Sequence, residues 1–400
     1  MNKRELEQKI DEILGRGVAE VIDKENLRKK MLSGEKLRVK FGVDPTSPNL
    51  HLGRAVVLLK LKDFQELGHE IVFIVGDFTG VIGDTSDKES ERPMLDEKTV
   101  RENMKTYKDQ AGKLLDMNKV ELRYNSEWLA KLGYAEIGEH ADRFSLAEFS
   151  ARENIKKRLK EGTRVSLREV LYPLMQGYDS VAIKADLELG GTDQRFNLLA
   201  GRSLQRHFKQ KVQDILMVNL IEGTDGSKMS SSWGNTVNIL DEPNDMFGKI
   251  MSMPDNLIVK YFVHCTRVPM KNVKQIEKEM QSGKLNPRDA KLDLAQELVK
   301  IYHSEEVARK ARRYFINTFS KREIPADISE INITTKNIGL IDCIVLSGNA
   351  KSKSDARRKI EQGGVEIDGK KITNAKTNLN KNFSGKTVKI GKMGFVRIKF

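Results

Sequence analysis

The sequence has few cysteines and no long apolar segment. Its two cysteines, Cys265 and Cys343, lie far apart in a chain of 400 residues, which supports neither a disulfide framework nor a cysteine-rich zinc site. His264 precedes Cys265, but adjacent residues do not have the spacing of metal ligands. No run of about 18 apolar residues occurs, so no transmembrane helix is expected. We therefore predict no metal site and no membrane association.

The N-terminus also lacks an apolar stretch. It reads MNKRELEQKIDEIL and is charged throughout, unlike a secretory signal peptide, so we expect a cytoplasmic protein. Hydrophobic residues make up 38% of the chain, which is enough for ordinary globular cores. Because 400 residues exceed the usual size of one domain, two or three domains are expected.

Positive charge is in excess and is concentrated near the C-terminus. The net charge is +13 at pH 7, and residues 337–400 carry 14 Lys and Arg against 5 Asp and Glu. This short segment therefore holds +9 of the total. Basic surface of this kind favours a polyanion such as a nucleic acid. Composition alone is equally consistent with a second interpretation, in which the positive charge only keeps the protein soluble.

Apolar runs alternate with helical patterns over the first part of the chain. Residues 37–43 and 71–76 are predicted as buried strands, with a helix at 52–67 that ends at Gly68. Such a strand–helix–strand unit indicates a parallel sheet with both faces covered, and hence an α/β domain that we expect to span 1–235. Its further candidate elements are strands at 120–124 and 215–221 and charged helices at 99–116 and 150–161.

The rest of the chain divides into two further regions. Residues 236–325 show a charged helical pattern, and the basic segment 337–400 follows. The stretch 320–336 has mixed polar character and is predicted as a linker. The basic segment is predicted to be α+β, with a helix at 352–362 and strands at 364–372 and 387–400.

No Gly-rich phosphate loop of the Walker or dinucleotide-binding pattern follows either predicted strand. The helix that begins near His51-Leu52-Gly53-Arg54 offers another place for phosphate. A helix N-terminus presents unpaired N–H groups and a partial positive charge, and Gly53 lets a ligand approach the backbone. A histidine at a helix start is more often a surface or capping residue, so this motif alone leaves both interpretations open.

Several motifs, in order along the chain, resemble those of one enzyme family. Asp44-Pro45-Thr46 followed by His51-Leu52-Gly53 resembles the HIGH signature of class I aminoacyl-tRNA synthetases. SKMSSS at 227–232 resembles their KMSKS signature. YPLMQGYDS at 172–180 and GGTDQRFN at 190–197 resemble the bacterial tyrosyl-tRNA synthetases. The resemblance runs from about residue 30 to the C-terminus.

This resemblance implies a fold, an activity and partners. The fold is a Rossmann-like catalytic domain over 1–235, an α-helical anticodon-binding domain over 236–325 and a small RNA-binding domain over 337–400. The activity is the ligation of L-tyrosine to tRNA(Tyr), with magnesium-ATP as substrate and no tightly bound cofactor. The resemblance also implies a homodimer formed through an insertion at about 115–170.

The residues around Tyr172 suggest a polar pocket on their own terms. Tyr172, Gln176 and Asp179 are spaced i, i+4 and i+7, so they share one helical face. Pro173 suits the first turn of that helix. The residues alone leave a solvated polar stripe as an equal alternative.

The resemblance assigns tyrosine binding to a defined set of residues. Tyr172 and Gln176, with Asp84, are implied to hold the substrate amino group, and Gln194 to face its carboxylate. Asp179 is implied to accept a hydrogen bond from the substrate phenol. Thr79 also matches a position that lines the amino-acid site.

A second set of residues is implied for ATP. The implied ATP-binding residues are Asp44, His51, Gly53, Arg54, Gly191, Asp193, Lys228 and Ser231. The implied catalytic residues, which stabilise charge on the phosphates, are His51, Arg54, Lys88, Arg92 and Lys228. A carboxylate is already a nucleophile, so activation of tyrosine needs alignment and charge stabilisation rather than a general base.

Two positions depart from the signatures of the family. Arg54 replaces the second histidine of HIGH, and Ser231 replaces the second lysine of KMSKS. Arg54 is still a strong donor, although it is longer and always charged, whereas Ser231 loses a full charge. We expect Arg54, Lys228 and Lys88 to supply enough positive charge for a working, slower enzyme. Lys40, in the strand beside the expected phenol pocket, has no assigned role.

The basic C-terminal segment resembles an RNA-binding motif shared with a ribosomal protein of the small subunit, over residues 341–369. Its candidate phosphate contacts are Lys351, Lys353, Arg357 and Arg358. A solvated basic helix is the alternative for these residues.

Two other functions are compatible with parts of this pattern. A synthetase-derived, non-catalytic RNA-binding protein is suggested by the two altered signatures and the basic segment. Tryptophan is the other candidate substrate, because its synthetases are close relatives. The intact set of Tyr172, Gln176 and Asp179 with GGTDQ at 190–194 argues against a pure RNA-binding protein, which needs no amino-acid pocket. The spacing of Tyr172, Gln176 and Asp179 favours tyrosine over tryptophan.

Overall fold

The structure is a computed structural model, and it is described in terms of two compact units, Met1–Ala308 and Arg309–Phe400. Four residues with predicted roles, Lys88, Arg92, Ser231 and Lys351, lie outside the described residues. The described residues are 2–84, 94–230, 233–320, 328–350, 352–391 and 394–400.

The first unit is built on a six-stranded sheet. The strands are β1 (Val18–Ile22), β2 (Arg38–Val43), β3 (Glu70–Val75), β4 (Val120–Tyr124), β5 (Leu187–Gly191) and β6 (Asp214–Val218). Their order is β1-β6-β5-β2-β3-β4, and every neighbouring pair is parallel except β1 with β6. The predicted α/β fold with a parallel sheet is thereby confirmed.

The order of the strands defines where a ligand can bind. The chain adds β3 and then β4 on one side of β2, and it adds β5 and β6 on the other side. The crevice outside the carboxyl ends of β2 and β5 is therefore a topological switch point, the usual ligand site of an open α/β sheet. Neither β5 nor β1 was among the predicted strands.

Among the described residues, sixteen helices belong to this unit, and a seventeenth, α17, spans the division between the two units. They are α1 (Lys3–Ile13), α2 (Lys24–Leu32), α3 (Leu52–Glu66), α4 (Thr79–Ile82), α5 (Glu97–Met104), α6 (Tyr107–Gly112), α7 (Ser126–Leu129), α8 (Tyr134–Ala141), α9 (Leu146–Ser150), α10 (Glu153–Lys160), α11 (Leu167–Ile183), α12 (Arg195–His207), α13 (Pro243–Ser252), α14 (Ile258–Cys265), α15 (Met270–Gln281), α16 (Pro287–Tyr302) and α17 (Glu305–Phe315).

Helix α3 agrees with the predicted helix at 52–67, and buried residues lie on nearly every side of it. Nine of its 15 residues are buried, as expected for a helix enclosed by the fold rather than lying on its surface. It ends at Glu66, and Gly68 adopts a positive φ of 88° that favours glycine. The helix thus places its N-terminus beside the end of β2.

The predicted single helix at 99–116 is wrong, because the segment forms α5 and α6. Side chains on both sides of this break bond to the loop that follows β2. Asn103 donates to the Pro45 carbonyl at 2.9 Å, and Tyr107 donates to the Ser47 carbonyl at 2.7 Å. Gln110 donates to the Pro48 carbonyl at 2.8 Å. These contacts fix the loop that leads into α3.

Helix α11 begins earlier than predicted, so Pro173 lies inside it rather than in its first turn. The cause is a capping box at Ser166. The Ser166 side chain accepts from the Arg168 amide, and the Glu169 side chain accepts from the Ser166 amide. About one and a half helical turns therefore precede Tyr172 in α11.

After the last residues of α17, the second unit combines a five-stranded sheet with a separate strand pair and two helices. Its elements are β7 (Ser329–Asn332), β8 (Asn337–Gly339), α18 (Leu340–Leu346), α19 (Lys353–Glu361), β9 (Val365–Ile367), β10 (Lys370–Lys371), β11 (Asn378–Asn380), β12 (Thr387–Ile390) and β13 (Gly394–Lys399). The predicted linker at 320–336 is wrong for β7, which pairs with β13 and places Ile331 opposite Ile398 in a shared core.

Candidate active site

A cleft of about 300 Å³ lies at the switch point of the sheet. It gathers every predicted tyrosine and ATP residue that the described part of the chain contains. Those residues are Asp44, His51, Gly53, Arg54, Thr79, Asp84, Tyr172, Gln176, Asp179, Gly191, Asp193, Gln194 and Lys228. The ends of β2, β3 and β5, the N-terminus of α3 and one face of α11 therefore form one site.

Asp44, at the end of β2, joins three elements at the floor of the cleft. Its carboxylate accepts hydrogen bonds from the Thr79 hydroxyl at 2.7 Å and from the Tyr172 hydroxyl at 2.9 Å. A Cβ atom on Gly76 would overlap both the Asp44 carboxylate and the Thr79 hydroxyl, so only glycine fits there. Burial raises the pKa of Asp44 to about 6, and these two bonds oppose that rise.

Asp179 lies at one end of the cleft and binds two residues that the sequence did not reveal. One carboxylate oxygen accepts from Trp128 Nε1 at 2.8 Å, and the other accepts from Asn125 Nδ2 at 3.4 Å. Asn125 and Trp128 follow β4 at its carboxyl end, a position that could have identified them once β4 was placed in the parallel sheet. Burial raises the pKa of Asp179 to about 7.

Gln176 is hydrogen-bonded to two charged residues of the sheet, Glu188 and Lys40. Its side-chain amide lies 3.3 Å from Glu188 of β5, and its main-chain carbonyl accepts a hydrogen bond from the Lys40 ammonium at 2.8 Å. Lys40 is fully buried in β2. The lysine without an assigned role is therefore part of the support for the polar face of α11.

Gln194 and its neighbours form the wall after β5. The side-chain amide of Gln194 donates to Asp84 at 2.8 Å, and its oxygen accepts from Asn197 at 2.9 Å. A Cβ atom on Gly191 would overlap the Asp193 carboxylate. Asp193 and Gln194 lie on the 3-10 turn Thr192–Gln194, and Asn197 lies in the first turn of α12. All three therefore follow the carboxyl end of β5.

His51 precedes α3 and is a neutral imidazole. Burial, with the nearby positive charge of Arg54, lowers the pKa of His51 to about 3. Its Nδ1 atom is buried and has no hydrogen-bond partner within the described residues. A Cβ atom on Gly53 would lie 3.0 Å from this ring, so the glycine makes room for the imidazole as well as exposing backbone.

Arg54 bonds to the turn that follows β2. One guanidinium nitrogen donates to the Asp44 carbonyl at 2.9 Å, and another lies 3.2 Å from the Thr46 hydroxyl. An arginine has the length and the several donors for this contact. Arg54 lines the cleft and also holds the Asp44 turn against α3.

The loop at 223–235 is organised by one buried side chain. Asn235 donates to the Asp225 carboxylate and to the Lys228 carbonyl, each at 2.9 Å. Its oxygen accepts from the Ser230 amide at 2.9 Å. The side chain of Lys228 is exposed, and the Met229 sulfur lies 3.3 Å from the Gly53 amide. The two signature segments therefore meet at the N-terminus of α3.

The three described RNA-binding candidates lie on α19 of the second unit. Lys353, Arg357 and Arg358 are all exposed. Lys353 lies 2.8 Å from Asp342, and Arg358 lies 2.8 Å from Asp355. Such surface pairs contribute little energy and exchange readily for other anions.

The described residues contain neither a candidate membrane-spanning helix nor a candidate metal-binding cluster. None of their helices combines the length and apolar character needed to cross a bilayer. None of their His, Cys, Asp and Glu side chains forms a group of three or more that could hold a metal ion.

Comparison with known proteins identifies the family of this chain. The family described as "tRNA synthetases class I (W and Y)" matches residues 32–320, and the "Tyrosine--tRNA ligase SYY-like C-terminal domain" matches residues 321–392. The tyrosine–tRNA ligase of Carboxydothermus hydrogenoformans is 47% identical over 399 residues, covering 97% of each chain. That of Thermotoga maritima is 45% identical over 387 residues, covering 96% of each chain.

A solved structure shows the same architecture. The crystal structure of the tyrosyl-tRNA synthetase of Archaeoglobus fulgidus, complexed with L-tyrosine, is similar with a TM-score of 0.62 and 25% identity. The similarity covers 77% of this chain and 99% of that one. The resemblance in the sequence motifs is thereby confirmed, and the chain belongs to the class I tRNA synthetases of the tryptophan and tyrosine family.

Proposed function

We propose how the residues of the cleft divide the work in this chain, an ATP-dependent tyrosine–tRNA ligase. The carboxylate of L-tyrosine attacks the α-phosphorus of magnesium-ATP, which gives tyrosyl-adenylate and releases pyrophosphate. The 3′ end of tRNA(Tyr) then takes the tyrosyl group and releases AMP. The observation that carries the proposal is the gathering of Tyr172, Asp179 and Gln194 with His51 and Lys228 in one cleft.

Asp179 recognises the substrate phenol. It is buried, and Trp128 and Asn125 fix its carboxylate. A phenol hydroxyl can donate to this acceptor, whereas phenylalanine leaves it unpaired in a buried site. This recognition supports tyrosine over phenylalanine as the substrate.

The other end of the amino acid is bound by polar groups across the cleft. Tyr172 and Gln176, with the carboxylate of Asp84, bind the ammonium group. The amide of Gln194 donates to the carboxylate of the substrate. Thr79 acts through Asp44, because its hydroxyl bonds to that carboxylate at 2.7 Å. Together these contacts align the carboxylate for attack.

The N-terminus of α3 and the loop at 223–235 bind ATP. The neutral His51 imidazole has one N–H to donate to a phosphate oxygen, and the Gly53 amide and Arg54 lie beside it. Lys228 reaches the phosphates from the loop, and Gly191 and Asp193 hold the ribose. Asp44, which lines the same cleft, belongs to the ATP-binding set.

Lys88, Arg92 and Ser231 complete the phosphate site in this proposal. They lie outside the described residues, so their roles rest on the family motifs alone. Lys88 and Arg92 bind the departing pyrophosphate, and Ser231 contributes a hydroxyl in place of a charge. These donors stabilise the charge that develops on the phosphates, which is the main catalytic requirement.

The remaining parts of the chain hold tRNA and a second subunit. Residues 236–325 bind the anticodon, and residues 337–400 bind RNA phosphates through Lys351, Lys353, Arg357 and Arg358. The segment near 115–170 forms a homodimer interface, which the exposure of Tyr134, Leu146, Leu159 and Leu167 supports. The work takes place in the cytoplasm.

Amino-acid-dependent ATP–pyrophosphate exchange tests the assignment of the substrate. Exchange should require tyrosine among the twenty amino acids, with tryptophan and phenylalanine inactive at equal concentration. Absence of exchange with every amino acid, together with no thermal stabilisation by tyrosine, would favour the non-catalytic RNA-binding alternative. Exchange with tryptophan alone would overturn the role of Asp179.

A further inference from the structure

A buried ion pair lies directly beneath the polar face of α11. The Lys40 ammonium is 2.9 Å from Glu188 Oε1, and the exposed fractions of these two residues are 0% and 1%. Lys40 lies in β2 and Glu188 in β5, the two strands that flank the switch point. The two residues lie opposite each other in the register of these parallel strands.

Every donor of the lysine is used on α11 or on its partner. Besides Glu188, the ammonium donates to the Gln176 carbonyl and to the Ser180 hydroxyl, each at 2.8 Å. Glu188 in turn accepts from the Ser180 hydroxyl at 3.0 Å and from Gln213 Nε2 at 2.6 Å. The network contacts α11 on both sides of Asp179, at the main-chain carbonyl of Gln176 and at the side-chain hydroxyl of Ser180.

Stability alone does not account for this arrangement. Removal of two charges from water is expensive, and a buried ion pair is often no more stabilising than apolar residues of the same size. A pair placed under a substrate pocket can instead fix geometry and set the local field. Its field acts on Asp179 over a short, water-poor path.

We propose that the Lys40–Glu188 pair is a specificity-determining positioning device for the tyrosine pocket, which fixes Gln176 and keeps Asp179 an anionic acceptor for the phenol. This inference rests on the proposed role of Asp179. Neither residue of the pair needs to touch the substrate, because both act through α11 and through charge.

The charges around Asp179 support this role. Burial raises the pKa of Asp179, while the positive charge of Lys40 lowers it and the negative charge of Glu188 raises it. The hydrogen bonds from Trp128 and Asn125 also lower it. The cleft is also lined by the ionisable groups Asp44, His51, Arg54, Asp84, Tyr172, Asp193 and Lys228. Among the described residues, Lys40 is the charged group that acts most strongly on the Asp179 carboxylate.

The two members of the pair should shift the pH profile in opposite directions. The measurement is the KM for tyrosine in ATP–pyrophosphate exchange between pH 5.5 and 8. In the wild type the KM rises as the pH falls through about 7, because Asp179 becomes protonated. Lys40→Met should move this transition to higher pH by about one unit, and Glu188→Gln should move it to lower pH.

Selectivity provides a second measurement. The ratio of kcat/KM for tyrosine to that for phenylalanine should fall about tenfold in Lys40→Met at pH 7, because a protonated Asp179 accepts a weaker hydrogen bond. The double variant Lys40→Met/Glu188→Gln removes both charges and keeps the volume. Because it leaves no unpaired buried charge, the double variant should fold even if a single variant does not. Its pH transition should lie between those of the wild type and Lys40→Met.

A second buried ion pair provides the matched control. Lys30 lies 2.7 Å from Asp214, with both residues buried and outside the cleft. Lys30→Met/Asp214→Asn should lower thermal stability and leave the pH transition and the selectivity unchanged. Unchanged profiles in all the Lys40 and Glu188 variants, or shifts in the same direction for both single variants, would overturn the inference. A wild type without tyrosine-dependent exchange would instead overturn the proposed function.

Discussion

At the scale of single residues, the cleft depends on a glycine that is packed too closely against its neighbours to be replaced by a larger residue. Gly76 lies where a Cβ atom would overlap the Asp44 carboxylate and the Thr79 hydroxyl. The cluster of Asp44, Thr79 and Tyr172 therefore needs a glycine at this position. Its role is visible only in three dimensions.

Gly76→Ala should lower kcat/KM for tyrosine about 100-fold, because a displacement of this cluster misaligns the substrate carboxylate. Pyrophosphate exchange measures the loss, and circular dichroism checks that the variant folds. Asn272→Ala is the control, since this exposed residue of α15 lies outside the cleft and outside the proposed dimer interface. Equal activity of the two variants would contradict the role of the glycine.

The protonation state of His51 gives a prediction about pH. Burial lowers its pKa to about 3, so the imidazole is neutral over the working range and no pH transition between 5 and 8 belongs to it. His51→Asn should lower kcat about 100-fold while the shape of the kcat–pH profile stays the same. Loss of a transition in this variant would show that His51 titrates in the working range.

The same pKa also affects stability. The folded state binds a proton at His51 less readily than the unfolded chain, whose histidines titrate near about 6.5. The contribution of this residue to stability is therefore present above that pH and decreases as the pH falls toward 3.

At the scale of elements, the loop at 223–235 depends on the Asn235 side chain, which bonds to Asp225, Lys228 and Ser230. Asn235→Ala should raise the KM for ATP about tenfold, the value of one or two net hydrogen bonds, and leave the KM for tyrosine unchanged. Initial rates of exchange at varied ATP and tyrosine separate the two constants. Asn272→Ala, at an exposed site on α15, should change neither. A parallel rise in both constants would mean that Asn235 supports the whole cleft.

The elements also show what the sequence could predict. Helix α3 and strands β2 and β3 have strong periodic patterns, and Tyr172, Gln176 and Asp179 share a face because the helical repeat is local. Strand β5 is five residues long and ends in two glycines, which obscures its pattern.

Tertiary contacts set the limit of this prediction. The bond between Trp128 and Asp179 joins residues 51 apart in sequence. The break between α5 and α6 depends on contacts of their side chains with the loop after β2. Neither feature has a local signature, so neither could be read from spacing or composition.

At the scale of the whole molecule, the two units differ in what they present to solvent. The second unit holds most of the net positive charge, because residues 337–400 carry +9 of +13. The first unit carries the cleft and several exposed apolar side chains between α8 and α11. Charge suits binding to RNA, whereas apolar exposure suits a stable protein interface.

Leu167 tests the proposed homodimer. It is the first residue of α11 and is 81% exposed, near the exposed Leu146 and Leu159 in sequence. A charge placed in an apolar interface is strongly unfavourable, so Leu167→Asp should convert a species of twice 45.4 kDa to one of 45.4 kDa in sedimentation equilibrium. Leu346→Asp, at a leucine that is 61% exposed in the second unit, should remain dimeric. If both variants and the wild type sediment alike, the interface lies elsewhere or the protein is a monomer.

Because α11 also carries Tyr172 and Asp179, the Leu167 variant should lose tyrosine affinity together with its dimer.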